Sequence, residues 1–304
     1  MSSVLSGATV SLSALIQLQN QTHGLSLAAR RKVFALQSGG YTTTFRGRGM
    51  DFDEVRHYQP GDEIRHLDWR VTARTGKPHT RLYHEERERP VLFLLDLGPS
   101  MYFGSRVAFK SVIAAQGLAL LAWTAVNNGD RVGALLSANG QHHEFAPRSR
   151  QQAILPLLHQ VAQDVNALPT AAVTGQPLLA SLTRLLRLSR PGSLIFLISD
   201  FYSLEAEAER LMARLAVHNE VVLLLIEDAI EQQAPPPARY PVTDGRQFAW
   251  LESRPTTPPS YLQAFQARRE RLQQVCRRSR MTQISLATHH AVADTLRAHL
   301  MARR

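Results

Sequence analysis

Five short apolar runs constrain this 304-residue chain more than any other feature. They are Val91 to Leu95, Arg131 to Ser137, Ser193 to Ser199, Glu220 to Ile226 and Thr282 to Leu286. Between the first four lie stretches with helical spacing: Arg106 to Asn127, Arg150 to Val165, Pro177 to Leu188 and Glu205 to His218. Strands this continuously apolar suit a mostly parallel sheet covered on both faces, because neither face meets water. The order predicts an α/β, Rossmann-like, doubly wound sheet that starts at residue 91.

The remaining chain is organised around that sheet. An N-terminal stretch, Leu12 to Leu36, reads as one or two helices broken near His23 and Gly24, and 39–90 as turns and extended chain. Together they suggest a subdomain over 1–90, helical and then charged, ahead of the α/β domain at 91–304. After Glu227 the rhythm breaks at QQAPPPARYP, and Asp244-Gly245 between extended runs signals a hairpin. This places an insertion at 229–259. Beyond it, Ser260 to Arg280 carries Leu262, Phe265, Leu272 and Val275 near helical spacing, with arginines filling much of the other face.

The formal net charge of +10 raises the question of nucleic acid. From Arg254 to the end, ten arginines face two acidic residues and leave +8, whereas Arg46 to Arg89 is nearly neutral at +1. The excess is therefore a property of the C-terminal region, where Arg268, Arg271 and Arg278 on its helical stretch are expected to face outward and attract acidic surfaces. A nucleic-acid-binding protein using this basic helix is the first alternative reading.

The one cysteine, Cys276, excludes an intramolecular disulfide. The N-terminus lacks a basic stretch before its short apolar run, which argues against a signal peptide. The longest mostly apolar segment, Val112 to Val126, falls short of the roughly 20 residues a membrane span needs. The expectation is a cytoplasmic protein without a membrane contact.

Ahead of the first strand lies GRGMDFDEVRHYQPGDEIRHLDWR, dense in charge of both signs and without an apolar period. Gly47, Gly49, Phe52, Arg56, Tyr58, Pro60, Gly61, Asp62, Arg65, Asp68 and Trp69 hold one spacing across more than twenty positions. On these residues the chain resembles the bacterial domain-of-unknown-function family 58, whose signature precedes a von Willebrand A-like domain. The resemblance implies that fold, a partnership with MoxR-type AAA+ ATPases and their client proteins, and no established catalytic activity. Arg56, Tyr58, Asp62, Arg65, Asp68 and Trp69 are the interaction residues it suggests. Bidentate arginine contacts would join this block to the sheet domain or a partner, and Trp69 reads as a core anchor.

The resemblance also marks a site at the first strand's end. Von Willebrand A domains place D-x-S-x-S there, a carboxylate and two hydroxyls that offer hard oxygen ligands to Mg²⁺. Here the turn is Asp96-Leu97-Gly98-Pro99-Ser100, so Gly98 replaces the first serine. The family's later threonine aligns with Gln176, with Thr174 two residues earlier, and its final carboxylate with Asp200. Asp96, Ser100 and Asp200 would hold Mg²⁺ weakly through a degenerate adhesion-type site. Alternatively, these side chains satisfy backbone amides at the turns and cap the following helix.

No H-E-x-x-H, G-x-S-x-G or P-loop appears. Gly47-Arg48-Gly49 is too short to specify a phosphate cradle. The expectation is a protein that is not an enzyme, an adaptor or co-chaperone in the assembly or remodelling of clients by an AAA+ ATPase. A Mg²⁺-dependent hydrolase is the second alternative.

Overall fold

The computed structural model describes residues 7–27, 50–59, 67–85, 89–149, 151–167, 177–243, 248–254 and 260–301. In chain order the elements are α1 (Leu12–Gln17), β1 (Met50–His57), α2 (Trp69–Thr75), β2 (His79–Glu85), β3 (Pro90–Leu97), α3 (Lys110–Asn127) and β4 (Arg131–Ala138). Then follow β5 (Gln141–Arg148), α4 (Gln151–Asn166), α5 (Pro177–Leu188), β6 (Leu194–Ser199), α6 (Ala206–His218) and β7 (Glu220–Glu227). The chain ends with α7 (Ala229–Gln232), β8 (Ala238–Thr243), β9 (Phe248–Ser253), α8 (Ser260–Ser279), β10 (Thr282–Ala287) and α9 (Val292–Met301).

Contacts divide the chain into two compact units, Met1–Val33 with Arg89–Arg304, and Phe34–Glu88. The boundary expected at residue 90 is thus corrected on its N-terminal side, because α1 belongs with the sheet. Leu15 and Leu18 are buried in its core, Trp123 Nε1 of α3 donates to the Leu15 carbonyl at 3.1 Å, and Arg297 of α9 donates to the Gln21 and His23 carbonyls.

The large unit holds one six-stranded sheet in the order β10-β7-β6-β3-β4-β5, parallel except for β5. This is the doubly wound, Rossmann-like arrangement that the apolar runs predict. Alternation along β3 explains the two layers: Val91, Phe93, Leu95 and Leu97 enter a core beneath α3 and α4, while Leu92 and Leu94 enter a second core with residues of α5, α6 and α8. All five expected strands and the four expected helices lie within a few residues of their sequence positions.

The edge strand β5 and the last helix α9 stand outside the sequence expectation. β5 alternates between exposed and half-exposed positions and contains Pro147, so it carries the signature of a sheet edge and not of a buried strand. Where it meets β4 the register shifts, and a Cβ on Gly133 would lie 2.7 Å from the Phe145 carbonyl oxygen, too close for any other residue. The expected hairpin is present as β8 paired with β9, its turn at 244–247 lying outside the described residues.

The small unit contains the antiparallel pair β1–β2 and the short helix α2. Asp68 caps α2 by accepting from the amides of Arg70 and Val71 at 3.0 and 3.1 Å, and Gly76 closes it in the left-handed conformation.

Candidate functional site

The chain enters its sheet at β3, builds outward through β4 and β5, and returns to place β6 on β3's other side. Strand order therefore reverses between β3 and β6. Connections leaving two such strands diverge and leave a crevice beyond the strands' carboxyl ends, the usual ligand position in open α/β sheets. Asp96 is the penultimate residue of β3, and Asp200 directly follows β6. The sequence positions of both follow from strand lengths matched in register, with Leu95 opposite Ile198.

Four carboxylates and one ammonium meet at this end of the sheet. Ser199 Oγ donates to Asp96 Oδ2 at 2.9 Å, while Asp96 Oδ1 is buried with no hydrogen-bond partner among the described residues. Lys110, the first residue of α3, is only 2% exposed and its Nζ lies 2.7 Å from both Asp200 Oδ2 and Glu231 Oε1. Asp200 also accepts from the Tyr202 amide at 3.1 Å and from the Ser100 hydroxyl. Glu231 reaches back to the Asp228 amide at 3.0 Å, one half of a capping box on α7. Asp228 in turn accepts from the Ser105 amide and hydroxyl, from Ile230 N and from Thr288 Oγ1. One network thus ties the loops after β3, β6, β7 and β10.

Burial and pairing set the charges. Burial acts to neutralise Lys110, yet Asp200 and Glu231 outweigh it and raise its pKa, so the ammonium stays charged. Burial also opposes ionisation of Asp200, but the Lys110 charge and hydrogen bonds hold it below the usual carboxylate range. Glu231 goes the other way, pushed up mainly by burial. Asp96, with one hydroxyl as its partner, is pushed up to about 7 by burial, with nearby Asp200 adding to the shift. Phe201, buried between these groups and Tyr202, adopts φ +50, a left-handed conformation uncommon for a large side chain.

This donor set does not fit Mg²⁺ as it stands. Asp200 and Glu231 are occupied by Lys110, Ser100 points its hydrogen at Asp200, and among the described residues no three His, Cys, Asp or Glu side chains converge as ligands. The side chain that Gly98 lacks would have open space, so the missing hydroxyl is not a packing requirement.

The structure brings Asp96, Ser100 and Asp200 to one crevice, as the sequence suggests, but with an ammonium instead of a metal as the cation that Asp200 meets. Thr174 and Gln176 lie outside the described residues, as do Asp62 and Arg65, and the Arg56 side chain is likewise undescribed. Tyr58 is half-buried and its amide donates to the Pro78 carbonyl at 2.9 Å. Asp68 serves its own unit as the α2 cap.

Two expectations need correction. Trp69 is not a core anchor: it is the first residue of α2, a short helix with no buried residue, and is 68% exposed. Of the three α8 arginines expected to face outward, Arg271 and Arg278 are exposed and Arg268 is half-buried. Arg268 stacks over the rings of Phe265 and Tyr202, Arg271 Nε bonds Glu209, and Arg269 lies 3.7 Å from Glu227, while Arg278 is exposed.

Sequence reasoning missed Lys110, Glu231, Asp228 and Ser199. Lys110 carried a readable signal, being one of only three lysines and standing alone at the head of a long apolar run. The other three looked like ordinary loop and cap residues, since their convergence depends on how the sheet is wound.

The family model described as "Protein of unknown function DUF58" matches residues 54–273. Uncharacterized protein Rv1480 of Mycobacterium tuberculosis and uncharacterized protein Mb1516 of Mycobacterium bovis are each 28% identical over 211 residues, 69% of this chain. The chain spans 65% of the length of these relatives. Among solved structures, conserved hypothetical protein BatB from Bacteroides thetaiotaomicron matches with 14% identity and a TM-score of 0.45, covering 71% of this chain and 98% of that one. An aerotolerance-related membrane protein from Bacteroides fragilis matches with 15% identity and a TM-score of 0.44 over the same shares. Among the described residues of the present chain, no helix is long and apolar enough to cross a membrane. With residues 54–273, more than two thirds of its length, matched by one family model, the chain belongs to the DUF58 family.

Proposed function

We propose that this protein is a non-catalytic interaction module that couples a MoxR-type AAA+ ATPase to a client protein. The ATPase partner is an inference from the family signature. The observation that carries the interaction reading is the rim of the strand-end crevice. Val107, on the loop after β3, and Tyr202, on the loop after β6, are 63% and 67% exposed, with Phe103 half-exposed on the first of these loops. Beneath them the charged groups pair with one another. Tyrosine is enriched among interface hot spots, and exposed apolar side chains beside it mark a surface for protein contact.

The hydrolase alternative would depend on Asp96, the one crevice group brought near neutrality. Its unpartnered oxygen is buried, which leaves it poorly placed to take a proton from an incoming substrate. For the nucleic-acid alternative, the α8 arginines already engaged by Glu209, Glu227 and aromatic rings leave less basic surface than the sequence suggests.

The test is a pull-down and sedimentation analysis with a MoxR-type ATPase from the same organism, with and without ATP, using the intact chain and its Val107→Glu and Tyr202→Ala variants. A complex that weakens at least about tenfold in either variant supports the reading. No complex under any nucleotide condition would sink it.

A further inference from the structure

We infer that Lys110 is a tethered cation standing where a divalent metal would otherwise bind, so that the crevice keeps its arrangement without metal and becomes a cation site only when the Lys110 charge is removed. The inference is independent of which protein the crevice serves.

Position supports it first. A lysine at the first turn of a helix opposes the helix dipole, which favours negative charge there. A fully buried one also loses its hydration. Lys110 has both disadvantages and is held by two carboxylates at 2.7 Å, one following β6 and the other from α7. It thereby clamps together loops that are distant in sequence, the structural task a bound metal performs in such a crevice.

The ligand chemistry supports it second. Asp200 Oδ2 and Glu231 Oε1 converge on one point, the ammonium nitrogen. A Mg²⁺ ion there would need each oxygen to move in by about 0.6 Å to reach the usual 2.1 Å, and water would complete its octahedron. Ser100 already lies against Asp200, so two carboxylates and one hydroxyl remain about that point once the lysine is cut back.

The backbone supports it third. Phe201 keeps its left-handed conformation while its amide donates to Ser199 Oγ at 3.0 Å, the same hydroxyl that bonds Asp96. Ser199 Oγ thus joins Asp96 to the turn that carries Asp200, and residues in uncommon backbone conformations cluster at ligand sites.

The experiment is Mn²⁺ titration of the full-length chain followed by electron paramagnetic resonance, with thermal melts in Mg²⁺ and in EDTA. The unmodified protein should show no saturable Mn²⁺ binding that Asp200→Asn abolishes, and its melting point should be the same in both buffers. Lys110→Ala should bind one Mn²⁺ at least about tenfold more tightly, the scale on which a neighbouring group alters metal affinity, and should lose it again when combined with Asp200→Asn. Asp200-dependent metal binding by the unmodified chain overturns the inference. So does a folded Lys110→Ala that binds Mn²⁺ no better. If Lys110→Ala does not fold, Lys110→Ser, which keeps both carboxylates and is refolded in Mn²⁺, takes its place; a folded Lys110→Ser with no gain in Asp200-dependent Mn²⁺ binding would overturn it equally.

Discussion

Two dense groups of charge in this molecule follow opposite plans. At the strand-end crevice Lys110, Asp200, Glu231 and Asp228 are all buried, and each finds its partner at hydrogen-bond distance inside the fold. Along α8 the arginines stand largely in water, and Arg271 and Arg269 reach acidic residues of neighbouring elements from the surface. The chemistry of a cation beside a carboxylate is the same. Solvent makes the difference: buried partners fix backbone positions because neither can be left alone, whereas exposed partners exchange readily with water.

The largest expected effect tests the buried half of this comparison. Lys110→Met leaves Asp200 and Glu231 facing each other without a cation, and breaking a buried pair in this way costs about 3 to 5 kcal/mol. Chemical denaturation should report a loss of that size. Adding Asp200→Asn and Glu231→Gln to the same chain removes the stranded charges and should recover most of it. Recovery in the triple variant would show that the cluster acts as one unit, and a loss below about 1 kcal/mol in Lys110→Met would place the crevice with the surface arginines instead.

Asp96 sharpens the comparison by being a buried carboxylate without a cation of its own. Its pKa rises from 3.8 to about 7 on folding, so between those values the native state holds a proton that the unfolded chain has released. Stability contributed by this group is therefore full below about pH 3.8 and declines as pH rises toward 7, by about 1.4 kcal/mol per unit at most. Asp200, held low by Lys110, works in the opposite sense and loses its contribution only in acid. Asp96→Asn should remove the decline and leave the protein on the order of 2 to 4 kcal/mol more stable than the parent at pH 8, with little difference near pH 4. Denaturation midpoints measured from pH 4 to 8 check this. Parallel curves for the two proteins would mean that Asp96 is already ionised in the native crevice.

The same contrast explains what could be read in the sequence. The runs at Val91, Arg131, Ser193 and Glu220 announced themselves because a strand buried on both faces must be apolar throughout. The run at Thr282 was legible although β10 is a half-buried edge strand, because its inner positions stay apolar. β5 was not, since this edge strand meets water and tolerates His142, His143, Glu144 and Pro147. Asp96 and Asp200 were legible as strand-end carboxylates. Lys110 was not assigned a role, because nothing local says that residues 200 and 231 fold back upon it. Trp69 misled for a different reason: composition favours burying tryptophan, whereas here it opens a short helix that buries none of its residues.

Asp68 provides an intermediate case, a buried carboxylate whose described partners are backbone amides. Replacing an N-cap of this kind with alanine costs about 1 kcal/mol, so Asp68→Ala should destabilise by that amount and Asp68→Asn by much less. Local hydrogen exchange in α2 would follow the change. A loss comparable to Lys110→Met would reveal that Asp68 belongs to a buried charge network, and would extend the crevice's plan to the family signature.

The smallest effect on stability is expected at α8, where it should be accompanied by an effect on rate. Arg271 and Arg278 lie on the exposed side of the helix, and only Arg271 has an acidic neighbour, Glu209. Reversing both to glutamate should change stability by no more than about 1 kcal/mol, since an exposed pair contributes little and water replaces it. The long-range field is another matter, because it acts before contact and scales with net charge. Association with an acidic partner should slow at low ionic strength and approach the parent's rate as salt screens the difference. Stopped-flow mixing with a MoxR-type ATPase across a salt series measures this directly. Equal rates at all salt concentrations would assign these arginines no part in steering, whereas a stability loss like that of Lys110→Met would show that α8 is held by its charges and not by Leu262, Leu272 and Val275 packed beneath it.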